Sequence, residues 1–211
     1  MTKGEETRRR IVARSAPVFN TRGYVGTSLA DLTRATGLEK GGIYNHFASK
    51  EALALAAFDY AIAEIERRYV AALEGKQAAS ERLLAIIHTF AQQAEAPWLP
   101  GGCPISNTAL EADDTSPALR ERAQVAMTSW HRLIGATVKR GVLSGELRAD
   151  ADPYMVATVL SATLEGALML SQLYGDPAYM RRAVAHLEEY VRSLAAPPAP
   201  EAAAGADEAI P

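Results

Sequence analysis

The residues best suited to chemistry lie between positions 40 and 50, in the run KGGIYNHFASK. Lys40, Tyr44, Asn45, His46 and Lys50 all carry hydrogen-bond donors, and donors suit phosphate oxygens and the edges of nucleic-acid bases. Gly41 and Gly42 add no bulk at the start of a short helix, so the backbone there is free to come close to a phosphate. Ile43 and Phe47, four apart, supply one apolar face. That leaves Lys40, Gly41, Gly42, Tyr44, Asn45 and His46 outward. Lys50 opens the next helix, where a cation opposes the helix dipole and a bound anion would relieve the conflict.

The rest of the chain offers little else that reacts. One cysteine, Cys103, excludes an internal disulfide, and four scattered histidines (His46, His88, His131, His186) exclude a His-rich metal site. No Ser-His-Asp arrangement, phosphate-binding glycine loop or His-Glu-x-x-His motif occurs, so neither an enzyme nor a cofactor is expected. Gly101-Gly102 lies between prolines and is too short for a nucleotide loop. Cys103 precedes Pro104, which opens a helix, and a helix N-terminus favours thiolate. Against that, Ile105 and Leu110 suit burial, and Glu111, Asp113 and Asp114 would raise the thiol pKa if close. Aromatic and Met residues gather in the C-terminal half: Phe90, Trp98, Met127, Trp130, Met155, Met169 and Tyr174. They suit an apolar cavity with His88, His131 and Asn107 as its polar groups, or plain core packing.

Helices must hold these groups, because the chain shows helical punctuation and no alternating strand pattern. Residues 5–21 form a first helix, with Pro17 expected to kink it and Arg22-Gly23 to end it. Thr27 or Ser28 caps a short helix ending at Gly37, and a third runs over 40–47. Ser49 caps a long helix over 50–74, and Ser80 opens another to 95. A short helix follows over 104–112. Ser116-Pro117, Asp152-Pro153 and Asp176-Pro177 open helices reaching about 142, 174 and 194. The helix after Pro153 is apolar on more than one face and carries small residues at Ala162 and Gly166, so it is buried and able to meet a partner helix closely. The Ala/Pro-rich segment 196–211 reads as a disordered tail.

Composition agrees with an all-α globular protein: 211 residues, 48% hydrophobic, 22% charged, net charge -3. Residues 1–60 carry nine Lys/Arg against six Asp/Glu, so the excess of acid falls in the remainder. A basic end on an acidic body presents one pole to a polyanion. The N-terminus has no secretory h-region and no run of about 18 apolar residues is expected, so the expected location is the cytoplasm, without a membrane.

The stretch TSLADLTRATGLEKGGIYNHFASKEAL (27–53) resembles the DNA-binding signature of TetR-type transcriptional regulators. The resemblance implies a three-helix helix-turn-helix head over 1–49, joined to a helical-bundle ligand-binding and dimerisation domain over 50–195. It implies that Thr27, Tyr44, His46 and Lys50 contact phosphate, while Lys40, Gly41, Gly42 and Asn45 face the major groove or its walls. Gly42 departs from the serine or threonine many members carry, which removes a hydroxyl and shifts readout toward Lys40, Asn45 and DNA shape. The implied partners are double-stranded operator DNA, a second copy of the chain and a small-molecule effector, apolar or aromatic. The effector would sit among Phe90, Trp98, Cys103, Asn107, Met127, Trp130, His131 and Met169. The segment GGCPISNTALE (101–111) also resembles a branch with a Gly-Cys motif, some of whose members sense electrophiles or oxidants. That adds an alternative function, thiol-based sensing through Cys103. The expected protein is thus a dimeric one-component regulator, a repressor released by its effector.

Overall fold

Side-chain caps set most of the helix starts in the computed structural model, which describes residues 2–112 and 116–197. Thr2 and Glu5 form a capping box at the start of α1 (Lys3–Gly26), and Ser28 and Asp31 form another at α2 (Leu29–Thr36). Gly37, at φ 72°, ends α2 in the left-handed region that glycine enters without a Cβ penalty. α3 (Lys40–Tyr44) is one turn shorter than expected, and Phe47 lies beyond it. Ser49 caps α4 (Lys50–Leu73). α5 (Ala79–Glu95) and α6 (Pro104–Ala112) follow. Ser116 and Asp152 cap α7 (Pro117–Leu143) and α8 (Pro153–Tyr174), each with proline in the first turn. α9 (Ala178–Ser193) starts after Pro177, where the Asp176 carboxylate accepts the Ala178 N–H at 2.8 Å.

One start and one bend differ from the sequence expectation, each through a distant partner. Ser80 does not cap α5. The Glu146 carboxylate reaches across from the turn after α7 and accepts the Ala79 N–H (2.6 Å), the Ser80 N–H (2.8 Å) and the Ser80 hydroxyl (2.6 Å). α1 keeps helical dihedrals through Pro17, and its break falls instead at Gly23 (φ 73°, ψ 172°), after which the helix resumes to Gly26. That region of backbone space belongs to glycine almost alone.

α4 ties the molecule together because its successive turns enter three cores. Leu53 joins Ile11, Val12, Leu32, Ile43 and Phe47 in the core of the head. Ala57 and Ala61 pack with Ala16 of α1 and Leu99 at the joint. Phe58, Tyr69 and Leu73 enter the large core of the body with residues of α5 to α9. Truncating Leu32 or Ile43, both essentially without exposure, would cost about 2–5 kcal/mol.

α8 packs against α7 and α9 with Val156, Leu160, Leu164 and Leu168 buried. By length and composition it is apolar enough to cross a bilayer, contrary to the expectation that no such run exists. Its surplus apolarity lies on the outer face: Met155, Met169 and Leu173 are exposed, and a Cβ built on Gly166 would meet nothing within 4 Å. Asp113 and Asp114 lie outside the described residues, as does the expected tail from residue 198. Ala196 is described, and its N–H donates to the Glu146 carbonyl at 2.9 Å.

Candidate nucleic-acid interface and ligand cavity

α3 carries its apolar side inward, with Ile43 and Phe47 buried, and turns its polar side to solvent. Lys40, Gly41, Tyr44 and Asn45 are exposed, and Gly42 and His46 are half-buried. Lys40 Nζ lies 5.9 Å from the centre of the Tyr44 ring, so the cation and the phenol occupy one patch. The two glycines differ. A Cβ at Gly41 would meet nothing within 4 Å, whereas a Cβ at Gly42 would stand 3.4 Å from Leu38 Cβ. A side chain at position 42 would therefore rest on the turn before α3, and Gly41 is the position with open space.

Thr27 departs from this surface. It is buried, and its hydroxyl donates at 2.5 Å to the Gly23 carbonyl four residues back, which also accepts the Thr27 N–H at 3.2 Å. The phosphate contact implied for its side chain is not on offer in this arrangement. Lys50 has its charge 4.7 Å over the Tyr24 ring, so an aromatic face offsets the clash with the dipole of α4 without an anion. Arg14 holds the end of α2 by donating to the Thr36 carbonyl at 3.0 Å. Arg22 pairs with Asp31 at 2.7 Å. Hydrogen bonds from Ser28 first, and then the Arg22 and Arg34 charges, hold the Asp31 carboxyl below its ordinary range.

The head is latched to the body through α6. At the Gly23 bend two N–H groups of α1 lose helical acceptors, and the Glu111 carboxylate takes both, from Tyr24 at 2.7 Å and Val25 at 2.8 Å. One turn earlier, Asn107 donates to the Asn20 carbonyl (3.1 Å) and the Gly101 carbonyl (2.7 Å), while Asn20 donates to the carbonyls of Pro100 (2.7 Å) and Gly102 (3.0 Å). An open cleft of about 430 Å³ runs along this joint between Phe19, Gly23, Phe58 and Glu111.

The opposite end of α6 borders a cavity of about 330 Å³ enclosed by α4 to α8. Ile62, Ile65, Tyr69, Leu73, Phe90, Trp98, Ile105, Trp130 and Leu133 give it apolar walls, and Gln93, Cys103 and Glu165 are its inner polar groups. Phe90 stacks on Trp130 with centroids 5.5 Å apart. Burial pushes the Cys103 thiol up, and the Glu165 carboxyl beside it adds to the rise. The N–H groups of Ser106 and Ile105 at the start of α6 pull the other way, as the sequence suggested, but they are outweighed. Burial likewise raises Glu165 against hydrogen bonds from Cys103 and Ser106.

Of the expected ligand residues, Phe90, Trp98, Cys103 and Trp130 converge on this cavity, and four do not. Asn107 serves the latch. His131 faces α8 and bonds Ser161 Oγ at 2.9 Å. Met127 packs half-buried against the body core. Met169 stands on the outer face of α8. Among the other candidates, His88 pairs on the surface with Glu188 at 2.7 Å, and Met155 and Tyr174 are exposed. Tyr69, Gln93 and Glu165 were missed. Glu165 had one signal, a lone carboxylate in the apolar helix after Pro153.

A short helix held at the surface by its own three-helix core, and carried on a larger helical body with an internal cavity, defines a helix-turn-helix regulatory protein. Sequence comparison specifies which kind. Residues 11–57 match the model for bacterial regulatory proteins of the tetR family, and residues 79–187 match that for the tetracyclin repressor-like C-terminal domain. The chain belongs to the TetR family of transcriptional regulators. A TetR transcriptional regulator from Chloroflexus aurantiacus J-10-FL superimposes with a TM-score of 0.89 at 45% identity, over 92% of this chain and 98% of that one. The transcriptional repressor DhaR of Mycobacterium sp. (strain GP1) is 29% identical over 77% of this chain and 80% of its own. A cysteine mutant of the TetR-family regulator CifR, solved with a 26-base-pair operator, has a TM-score of 0.77 at 26% identity, over 88% of this chain and 95% of that one.

Proposed function

We propose that this chain is a homodimeric repressor that binds double-stranded operator DNA in the cytoplasm and releases it when a small apolar or aromatic effector enters the α4–α8 cavity. One observation carries the reading: α6 touches the cavity at Cys103–Ile105 and the head at Tyr24–Val25. A ligand that favours one seat of α6 would shift the population of head positions, which is all that linkage requires. On the DNA side, the reading assigns Lys40, Gly41, Tyr44 and Asn45 to the groove and its walls, with His46 and Lys50 beside the backbone. The CifR complex supports a DNA role for a head of this fold. The exposed stripe Met155, Ala162, Met169 and Leu173 around open Gly166 supports pairing of two copies through α8.

The thiol alternative draws less support, because burial keeps Cys103 protonated and away from reagents. Cys103→Ser separates the two: the ligand reading expects effector release to survive it, and loss of release by thiol reagents alone would favour sensing. The direct test of the proposal is operator binding by the dimer, followed by titration of candidate effectors into the complex. Release by a ligand that Trp130→Ala no longer binds supports it, and release unaffected by that change contradicts it.

A further inference from the structure

The cavity holds two buried acceptors without donors against one buried donor without an acceptor, Trp130 Nε1, and the excess of acceptors specifies a ligand. Gln93 is buried, and its amide donates to the carbonyls of Leu99 (2.8 Å) and Gly102 (3.4 Å). Both neighbours are acceptors, so flipping the amide would set oxygen against oxygen, and its orientation is fixed. Gln93 Oε1 is then a buried acceptor without a donor. Glu165 is in the same position: Cys103 and Ser106 approach its carboxyl, yet Oε1 has no hydrogen-bond partner. Among the described residues, no ion pair involves Glu165. Arg68, the one cation among the described lining residues, is engaged over the Trp98 ring at 5.0 Å. Buried acceptors without donors are costly, and a buried carboxylate without a counter-ion is costlier. Around them stand three rings, with Tyr69 6.5 Å and Phe90 5.5 Å from Trp130. Aromatic faces attract cations as well as flat ligands. At about 330 Å³ the space is at the small end for organic ligands, whose sites span about 300–1,000 Å³.

We propose that the effector is a small aromatic amine, its ring against Phe90 and Trp130 and its ammonium donating to Glu165 and Gln93. The proposal rests on reading this cavity as the effector site and adds the charge of the ligand. A neutral ligand of the same shape leaves the carboxylate without a counter-ion, and an anion adds repulsion.

Tryptamine, tryptophol and indole-3-acetate share one ring system and differ in charge, so calorimetric titration of each into the full-length protein isolates the charge. The wild-type protein should bind tryptamine at least about tenfold more tightly than tryptophol, the scale on which a desolvated charge pair discriminates, and indole-3-acetate weakest. Glu165→Gln keeps the shape and should erase the preference for amine over alcohol. Equal or tighter binding of tryptophol or indole-3-acetate by the wild type overturns the proposal, and so does binding of none of the three. A preference that survives Glu165→Gln overturns the assignment to Glu165. Operator release, measured alongside, separates the two readings. Amine-selective binding without release refutes the effector reading and leaves the ligand class standing. Release by tryptophol as readily as by tryptamine refutes the ligand class and leaves the effector reading standing.

Discussion

Gly23→Ala is expected to be among the most damaging single-atom additions in the head. Gly23 sits at φ 73°, ψ 172°, and an alanine held there carries backbone strain of about 1–3 kcal/mol. The added Cβ would also stand 2.5 Å from Glu111 Oε2 and 2.6 Å from Oε1, the two oxygens that accept the Tyr24 and Val25 N–H groups. Either the carboxylate leaves or the end of α1 moves. Hydrogen bonds to a charged group contribute about 1.5–3 kcal/mol, and partial exposure of this joint puts the loss at the low end. The sum is a destabilisation of about 3–4 kcal/mol. Urea denaturation measures it. Gly26→Ala is the control, since a Cβ there meets nothing within 4 Å. Glu111→Ala alone should cost about 1.5–3 kcal/mol. In its background Gly23→Ala should cost only the strain, because the carboxylate it displaces is gone. A Gly23→Ala protein within 0.5 kcal/mol of wild type, or fully additive costs, would refute the latch.

Other expectations follow from single residues. Glu146→Ala should lower stability by about 1–2 kcal/mol, the worth of a helix cap, because it caps α5 from outside. Desolvation raises the Glu146 carboxyl, but hydrogen bonds from Ser80 and Ala79 and the Arg140 charge outweigh it, so its net value is lowered from 4.5. Its contribution is present above that value and lost as pH falls through the lower folded one, so Glu146→Gln should flatten the acid limb of stability against pH. Cys103 behaves oppositely. Its thiol is raised from 9.0, so the unfolded chain loses the proton first and stability falls as pH rises above 9.0. Cys103→Ala should flatten that alkaline limb, and iodoacetamide should label the native protein far more slowly than the urea-unfolded one. Met169→Glu places a charge in the exposed α8 stripe and should convert a dimer to monomers in light scattering while the far-UV circular dichroism stays that of the folded helical chain. An unchanged mass would remove α8 from the interface.

Where function and fold were legible in the sequence, local chemistry did the positioning. Ser28 three residues before Asp31, and Ser116 and Asp152 before prolines, start helices by contacts within one turn, and Ile43 in α3 and Phe47 just beyond it are buried as their spacing of four implies. What escaped depends on partners far along the chain. Glu111 is 87 residues from Tyr24, and Glu146 is 66 from Ser80. Neither cap has a local signature. Pro17 seemed the natural place for a bend, yet Gly23 bends α1 because a distant carboxylate waits for the freed N–H groups. The ligand residues failed by helical phase. On α7, Ala126, Ser129, Trp130 and Leu133 line the cavity, while Met127 and His131 fall on adjoining faces. Composition identifies an aromatic cluster, but only packing decides which side of a long helix meets empty space. Thr27 differs in another way, since it is buried and its hydroxyl turns back to the Gly23 carbonyl four residues earlier.

Fluorescence anisotropy of the full-length protein on the DNA upstream of its own gene, against scrambled DNA of equal length, tests operator binding by the head. Selective binding is expected, and it should fall by orders of magnitude between about 50 and 200 mM salt, as phosphate contacts require. Lys40→Ala and Tyr44→Phe should each weaken it while leaving the melting temperature unchanged. Equal binding to both probes, insensitive to salt and to Lys40→Ala, would rule out operator recognition by α3.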